Sequence, residues 1–235
     1  MELIAGRALS KDPRLFRNFR ADDLWYLCLP QGLHWDSDHL AEIERLQSLR
    51  MLSLEKADIK RLDWKTIDKL KNLTWLNVSL TDLEGEDVGR LSRIKDLDTL
   101  QCDELSNIRS LLNQLRNSTS IRALSLKSCS LKDEDLEIIG TMSNLQSLII
   151  NSNQAITTEG LRHLLALHQL NLLEMPGETK VGPEVIEVLR QFKKLTALRI
   201  STDRWSPTER ENLKRSLPKD CREQAAPPRN IQEQQ

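Results

Sequence analysis

The sequence has few aromatic side chains. Phe, Trp and Tyr make up 4% of its 235 residues, whereas hydrophobic residues as a whole make up 39%. A core built from this chain must therefore consist mainly of aliphatic side chains, as in repeat folds where each layer contributes a few leucines to a narrow interior. The same scarcity argues against a large ligand pocket lined by aromatic rings.

The sequence also lacks an excess of charge of either sign, since its formal net charge is −1. Such a chain has no overall field to attract phosphate backbones or anionic membranes, so a nucleic-acid role would need a local basic patch. Acidic residues interrupt the basic N-terminal segment and favour a solvated cap face: Arg7, Lys11, Arg14, Arg17 and Arg20 alternate with Asp12, Asp22 and Asp23. We therefore expect neither a nucleic-acid nor a membrane partner.

Long hydrophobic runs are missing as well. No early apolar segment of signal-peptide length follows Met1. No run of about 18 apolar residues, the length of a membrane-spanning helix, occurs anywhere in the sequence. Together these absences predict a cytoplasmic protein. The four cysteines agree with that prediction, because no two have zinc-ligand spacing and their positions suggest no disulfide framework.

Signatures of catalysis are scarce. The sequence contains no glycine-rich phosphate loop and no nucleophile elbow. His163 and His168 lie five residues apart, which is a poor metal-binding spacing, and His34 and His39 lie beside aspartates in a turn. Surface or cap roles are favoured for all four histidines. We therefore expect no enzymatic activity, no cofactor and no metal site.

What the sequence does contain is a repeat. The segment from Ile121 to Leu131 reads LxxLxLxxCxL, which is the strand-and-turn half of a leucine-rich repeat. Its first place recurs every 24 or 25 residues, at Leu24, Leu49, Leu73, Leu97, Ile121, Leu145, Leu170 and Leu195. The first, fourth and sixth places are apolar in all of these units, which chance would produce on the order of 10⁻¹⁰ of the time.

The ninth place favours Asn or Cys, whose side chain can hydrogen-bond backbone groups in the turn that leaves each strand. Cys129 and Asn153 match this preference. The other units depart from it, with Gly32, Ala57, Thr81, Leu105, Glu178 and Asp203. The eleventh place is apolar in several units, at Ile59, Leu83, Leu131 and Trp205. In the unit that begins at Leu97 this place holds Asn107, so we expect Leu105 or Ile108 to fill the core there through a shifted loop.

Apolar residues three or four positions apart follow each strand and predict a helix with one inward stripe, as in Val88, Leu91 and Ile94, or Ile67 and Leu70. The units resemble the ribonuclease-inhibitor-like and cysteine-containing leucine-rich repeats, in LxxLxLxxC at residues 121–129 and in LxxLxIxxN followed by ITTEGL at residues 145–161. The resemblance implies an α/β fold, a curved solenoid of about eight repeats with a parallel sheet on its concave side and helices on its convex side.

The two ends of the chain differ from the repeats. Residues 1–20 are predicted to form an N-terminal cap helix over the first layer, and residues 21–217 to form the repeat domain. Ser206 to Glu209 reads SPTE, a capping box that predicts a last helix, which Pro218 stops. Residues 218–235 have almost no large apolar side chains and are predicted to be a disordered tail.

Side chains alternate between the two faces of a strand, so the third, fifth and seventh places are predicted to point outward onto the concave face. Tyr26, Met51 and Trp75 share the third place on adjacent strands, and we name them the aromatic patch. The polar residues that border the patch are Glu55, Asn77, Gln101 and Asp103. Large rigid side chains with a polar rim are typical of protein interfaces. Two alternatives stay open: the cap covers the patch, or the exposure is merely tolerated.

These observations predict a non-catalytic module that binds a partner protein on its concave face, as a monomer. The seven predicted contact residues are Tyr26, Met51, Glu55, Trp75, Asn77, Gln101 and Asp103. Two narrower alternatives are an inhibitor or immunity-type protein that blocks an enzyme, and a substrate adaptor or scaffold in a larger complex.

Overall fold

A computed structural model describes residues 1–4, 7–29, 34–64, 69–83, 86–175 and 180–225. Its main feature is a ten-stranded sheet in which every strand pairs in parallel with its neighbours. In spatial order the strands are β1 (Glu2–Ile4), β2 (Tyr26–Cys28), β4 (Met51–Ser53), β6 (Trp75–Asn77), β7 (Thr99–Gln101), β8 (Ala123–Ser125), β9 (Ser147–Ile149), β10 (Leu172–Met175), β11 (Ala197–Ile200) and β12 (Arg222–Ala225). A second, two-stranded sheet pairs β3 (His34–Asp36) with β5 (Asp58–Arg61).

Short helices connect the strands. The α-helices are α1 (Arg7–Lys11), α2 (Ser37–Ile43), α3 (Glu86–Arg90), α4 (Ile108–Leu115), α5 (Asp133–Ile139), α6 (Thr158–His163), α7 (Ile186–Leu189) and α8 (Pro207–Ser216). Short 3₁₀-helices cover Pro13–Asn18, Leu91–Arg93, Leu164–Ala166 and Pro183–Val185. Several predicted helices are therefore completed by 3₁₀ turns, and Ile67 of another lies outside the described residues. None of the helices in the described ranges has the length and apolar content needed to cross a bilayer.

The core follows the repeat. Every residue at the first, fourth and sixth places of the eight units is buried, and none is more than 3% exposed. Residues one repeat apart, such as Leu52 and Leu76, pair directly across neighbouring strands. The same places therefore point into the core in every repeat. The predicted α/β leucine-rich repeat solenoid is therefore confirmed.

The irregular unit that begins at Leu97 keeps its core through a shifted loop. Asn107 is exposed and adopts a left-handed backbone conformation, with φ at 54°. Leu105 and Ile108, on either side of it, are both buried. The prediction offered these two residues as alternatives, and the structure uses both of them.

The N-terminal cap differs from the predicted helix over residues 1–20. It begins with a strand, β1, and continues with α1 and the 3₁₀ turn Pro13–Asn18. Phe16 is fully buried, with its ring 5.6 Å from the ring of Trp35. A strand is suited to this end because it satisfies the N–H and C=O groups on the open edge of β2, which a helix cannot pair in this way.

The C-terminal end agrees with the sequence up to Pro218. The Ser206 N–H donates to Glu209 Oε2 at 2.7 Å and the Glu209 N–H donates to Ser206 Oγ at 3.2 Å, so the predicted capping box is confirmed. Beyond it the structure differs from the predicted tail, because β12 pairs with β11 and covers the last edge of the sheet. Residues 226–235 lie outside the described residues.

Candidate functional site

The aromatic patch assembles as its register predicts. Tyr26 pairs with Met51 and Met51 with Trp75 across β2, β4 and β6. The rings of Tyr26 and Trp75 meet edge to face, with their centroids 6.2 Å apart. Trp25, which the sequence analysis did not select, extends the group, because its ring lies 6.0 Å from that of Tyr26 and the residue is 41% exposed. Three aromatic rings thus form one contiguous surface.

The described part of the cap leaves the patch accessible. Tyr26, Met51 and Trp75 are each half-buried. The strand β1 lies beside β2 in the same sheet, with Glu2 paired to Tyr26, so it lengthens the concave face. Among the described residues the alternative that the cap buries the patch is therefore wrong. Glu2, which is exposed, becomes a neighbour of the patch that the sequence pattern could not identify.

A line of polar side chains, which we name the polar ladder, crosses the sheet beyond the strand ends. Asn77 Nδ2 donates to Glu55 Oε2 at 3.2 Å, and Asn77 Oδ1 accepts from the Ser79 N–H at 2.9 Å. Ser79 Oγ in turn accepts from the Asp103 N–H at 3.0 Å. Hydrogen bonds of the polar ladder therefore link each of these repeats to the next.

The ladder continues into the next repeat through Asp103. Its Oδ1 accepts from Ser125 Oγ at 2.6 Å and from the Lys127 N–H at 3.0 Å. Its Oδ2 lies 3.4 Å from Lys127 Nζ. The carboxylate is held in a fixed position because three groups on one neighbouring repeat converge on it.

A cavity of about 400 Å³ opens over the polar ladder and is lined by four of the predicted contact residues, Glu55, Asn77, Gln101 and Asp103. Asn77 was predicted to border the patch on the surface, but it is only 6% exposed. Its amide forms part of the cavity floor. Both polar atoms of this amide are already hydrogen-bonded, one to Glu55 and the other to Ser79. The structure thus separates the seven residues into an aromatic patch and an adjacent polar cavity.

A row of unusual backbone conformations follows the strands, and four of its five residues line the cavity. Five successive eighth places are left-handed, with φ between 53° and 58°: Lys56, Leu80, Glu104, Ser128 and Ser152. The conformation lets the N–H group reach the carbonyl of the next repeat, as from Leu80 to Asp103 O at 2.9 Å. Leu80 is unexpected here, since this conformation costs a non-glycine residue about 1–2 kcal/mol. Its half-buried side chain adds an apolar element to the cavity rim.

Electrostatics keep the Tyr26 hydroxyl protonated. Burial raises the pKa of Tyr26 to about 12, and the neighbouring Cys28 and the charges of Glu2 and Glu55 act in the same direction. The phenol is neutral at physiological pH, as it would also be at the ordinary value of 10.0, and it can donate a hydrogen bond. Glu2 pairs with Tyr26 across the sheet, and Glu55 accepts from Asn77 on the strand of Trp75, so both carboxylates lie near the patch.

The C-terminal half of the concave face is different. Its third places hold small or aliphatic residues, Ala123, Ser147, Leu172 and Ala197. Glu174 and Arg199, at fifth places of adjacent strands, form an ion pair at 2.9 Å. This half is a floor of small and aliphatic side chains with one internal ion pair.

The histidines occupy structural or surface positions. Asp36 Oδ1 lies 2.7 Å from Nδ1 of the buried His39 and accepts from the His39 N–H at 3.3 Å, which caps α2. His163 and His168 are exposed. Within the described ranges, no three His, Cys, Asp or Glu side chains gather closely enough to hold a metal ion.

Comparisons with known proteins address the fold alone. No protein-family model and no curated protein matches the chain. An internalin (InlF) from Listeria monocytogenes is similar in structure, with a TM-score of 0.58 and 19% identity over 97% of this chain and 58% of that chain. TLR13 in a complex with ssRNA13 gives a TM-score of 0.52 and 17% identity over 82% of this chain and 30% of that chain.

Both of these proteins contain leucine-rich repeats, so the chain has the leucine-rich repeat fold. It spans a little over half of the internalin chain. At these identities the likeness carries no information about partners.

Proposed function

We propose that this chain is a non-catalytic protein-binding module, and that the N-terminal half of its concave face contacts the partner. The observation that carries the proposal is the half-exposed aromatic patch beside a cavity with a fixed polar floor. Tyr, Trp and Arg side chains supply most of the binding energy in protein interfaces, and a polar rim around them excludes water. The rigid sheet holds Tyr26 and Trp75 in place, which lowers the entropy cost of binding.

A protein partner is favoured over RNA by the charges of this face. The complex with ssRNA13 belongs to TLR13 and is not evidence for this chain. RNA binding needs cationic side chains along the phosphate backbone. The outward places near the patch instead carry the carboxylates of Glu2, Glu55 and Asp103, and the ammonium of Lys127 lies against Asp103.

The proposal includes the finer features that the sequence suggested, namely a monomer that acts in the cytoplasm and belongs to the cysteine-containing subtype of the fold. The geometry of Cys129 supports the subtype, because its Sγ donates to the Cys102 carbonyl at 3.0 Å and so links two repeats. An inhibitor or immunity-type protein would use the same face in a tight one-to-one complex. An adaptor would need a recruiting motif outside the repeats.

A pull-down from a lysate of the source organism tests the proposed function. The variants Trp75→Ala and Tyr26→Ala should lose captured proteins that the wild-type chain retains. Leu172→Ala is the matched control, because Leu172 is a large third-place side chain at the other end of the face. Retention of every captured protein by folded Trp75→Ala and Tyr26→Ala variants would show that the patch is not the binding site.

A further inference from the structure

The first observation is that the rings of Trp25, Tyr26 and Trp75 form one continuous series of contacts. Ring contacts run from Trp25 to Tyr26 at 6.0 Å and from Tyr26 to Trp75 at 6.2 Å, and Met51 lies between the last two. The 70° angle between the Tyr26 and Trp75 rings forms a corner. Aromatic faces attract cations within about 6 Å of the ring centroid, and Trp attracts them most strongly.

The second observation is that carboxylates lie next to the patch. Glu2 is paired with Tyr26 in the sheet, and Glu55 Oε2 accepts from Asn77, which lies two residues beyond Trp75 on β6. Asp103 lies further along the same face. Among the described third, fifth and seventh places from β1 to β8, these three residues are the acidic ones and Lys127 is the basic one. Lys127 lies 3.4 Å from Asp103. Trp25 belongs to the second places, where the neighbouring strand carries the exposed Arg50, whose Nη1 donates to the Asn72 carbonyl at 3.1 Å.

The eighth places do not change this balance. Lys56 and Glu104 carry opposite charges and sit at equivalent positions of their repeats. An apolar partner group over the rings would remove water from Glu2 and Glu55 without replacing their hydrogen bonds, which is unfavourable. A cationic group would satisfy the rings and the carboxylates together.

We propose that the aromatic patch, with Trp25, Glu2 and Glu55, binds an arginine side chain that projects from the partner protein. The guanidinium lies against the tryptophan and tyrosine rings, and its N–H groups donate to the flanking carboxylates. Arginine fits better than lysine because its planar head is weakly hydrated, stacks on aromatic faces and offers several donors in a fixed fork. This inference rests on the proposed function and specifies the chemistry that the partner must present.

The test uses the wild-type chain and small probes. N-acetyl-arginine amide is titrated while the indole N–H resonances of the five tryptophans are followed by NMR. Trp35, Trp64 and Trp205 are buried and serve as internal references, whereas Trp25 and Trp75 should shift with saturation. The corresponding citrulline amide, which has nearly the same shape without the charge, should cause no saturable shift. The lysine amide should bind several-fold more weakly than the arginine amide.

Variants at the carboxylates complete the test. Glu2→Gln and Glu55→Gln should each weaken arginine binding several-fold while the circular dichroism spectrum stays unchanged, whereas Asp38→Gln, at an exposed position on α2, should not. The proposal is overturned if the citrulline amide binds as well as the arginine amide, if the glutamine variants bind normally, or if Trp25 and Trp75 do not respond.

This outcome is distinguishable from failure of the proposed function. If the Trp75→Ala variant loses its protein partner while the wild-type chain ignores arginine, the binding surface stands and the arginine assignment is wrong. If the variant keeps all partners, the surface itself is wrong.

Discussion

The two halves of the repeat array close their turns differently. In the repeats that begin at Ile121 and Leu145, the side chain of Asn153 joins both units. Its Oδ1 accepts from the N–H groups of Cys129 at 3.1 Å and Leu131 at 2.9 Å, and its Nδ2 donates to the carbonyls of Leu126 at 2.9 Å and Ile150 at 3.0 Å. In the repeats that begin at Leu49 and Leu73, Ala57 and Thr81 hold the same place. Thr81 supplies one bond, from Oγ1 to the Val78 carbonyl at 2.6 Å.

The N-terminal half compensates with other structure. It adds the paired strands β3 and β5, and it buries the large side chains of Trp35 and Trp64. It also carries the large outward side chains of the aromatic patch. The comparison teaches that a regular repeat accounts for stacking, whereas the departures from regularity lie beside the proposed binding surface.

Removal of the Asn153 side chain should have the largest effect. Asn153→Ala leaves several buried backbone groups without partners, and each such group costs about 1–3 kcal/mol. We expect the free energy of unfolding to fall on the order of 3–5 kcal/mol, measured by urea denaturation. The buried position of Asn153 gives water no access to replace these bonds.

Thr81→Ala, at the equivalent place in the N-terminal half, is the matched control. It removes one side-chain hydrogen bond and should cost about 1 kcal/mol. If the free energy of unfolding falls equally in the two variants, the proposed difference between the halves is wrong, because the turns of both halves then depend on the ninth side chain to the same degree.

A second pair of variants compares helix packing in the two regions. A Cβ added at Gly160 would lie 2.1 Å from Asp133 Oδ1. The Asp133 carboxylate cannot move away easily, because it accepts from the Thr157 N–H at 2.9 Å and from Thr157 Oγ1 at 2.6 Å. Gly160→Ala should therefore destabilise the chain by about 1–3 kcal/mol, seen as a lower melting temperature.

Gly89→Ala should have the opposite sign. The nearest atom to its added Cβ is Cγ of the flexible Gln114 side chain, at 3.1 Å, and alanine favours helix by about 0.5–1 kcal/mol over glycine. A melting temperature that rises for Gly89→Ala and falls for Gly160→Ala would sharpen the contrast between the tightly and the loosely packed repeats. A fall of equal size in both variants would contradict it.

Tyr26 is the sole tyrosine, so the titration of the patch can be followed by the ultraviolet absorbance of its phenolate. The midpoint in the folded chain should lie at about 12, above the ordinary value of 10.0. Because Tyr26 has the higher pKa in the folded chain, the unfolded chain ionises first as the pH rises. The contribution of the neutral phenol to the free energy of unfolding is therefore fully present below pH 10 and is lost as the pH rises through 12. Glu2→Gln and Glu55→Gln should lower the midpoint, and an unchanged midpoint in both variants would show that neither carboxylate is near the ring.

The smallest expected effect is a difference in reactivity among the four thiols, and it is measured on the wild-type chain. Burial raises the pKa of Cys129 to about 11 and that of Cys102 well above its ordinary value. Under native, mildly alkaline conditions a thiol reagent should modify the half-buried Cys28 and Cys221 and spare the other two. Rapid modification of all four thiols, detected by mass spectrometry, would mean that the regular half opens more readily than its packing implies.

The predictions from sequence succeeded where a feature repeats or is local. The spacing of 24 or 25 residues predicts that Tyr26, Met51 and Trp75 lie side by side on adjacent strands, since parallel strands of equal repeats align in register. The capping box at Ser206 and the hydrogen-bonding role of Asn153 were also predictable, because each depends on a few neighbouring residues. Glu2, Trp25 and Leu80 were missed, since their relation to the patch or cavity depends on edge pairing and turn conformation.

The sequence by itself determined the strand register, the buried leucine positions and the row of large outward side chains, because a fixed repeat period specifies all three through stacking. Only the tertiary structure decided how the ends of the sheet are closed and which outward side chains stay accessible. The strands β1 and β12 have three or four residues each and carry no pattern of their own, so only pairing with the exposed edges of β2 and β11 selects them. Likewise, the burial of Asn77 follows from neighbours more than 20 residues away in sequence, such as Glu55, which no local pattern reveals.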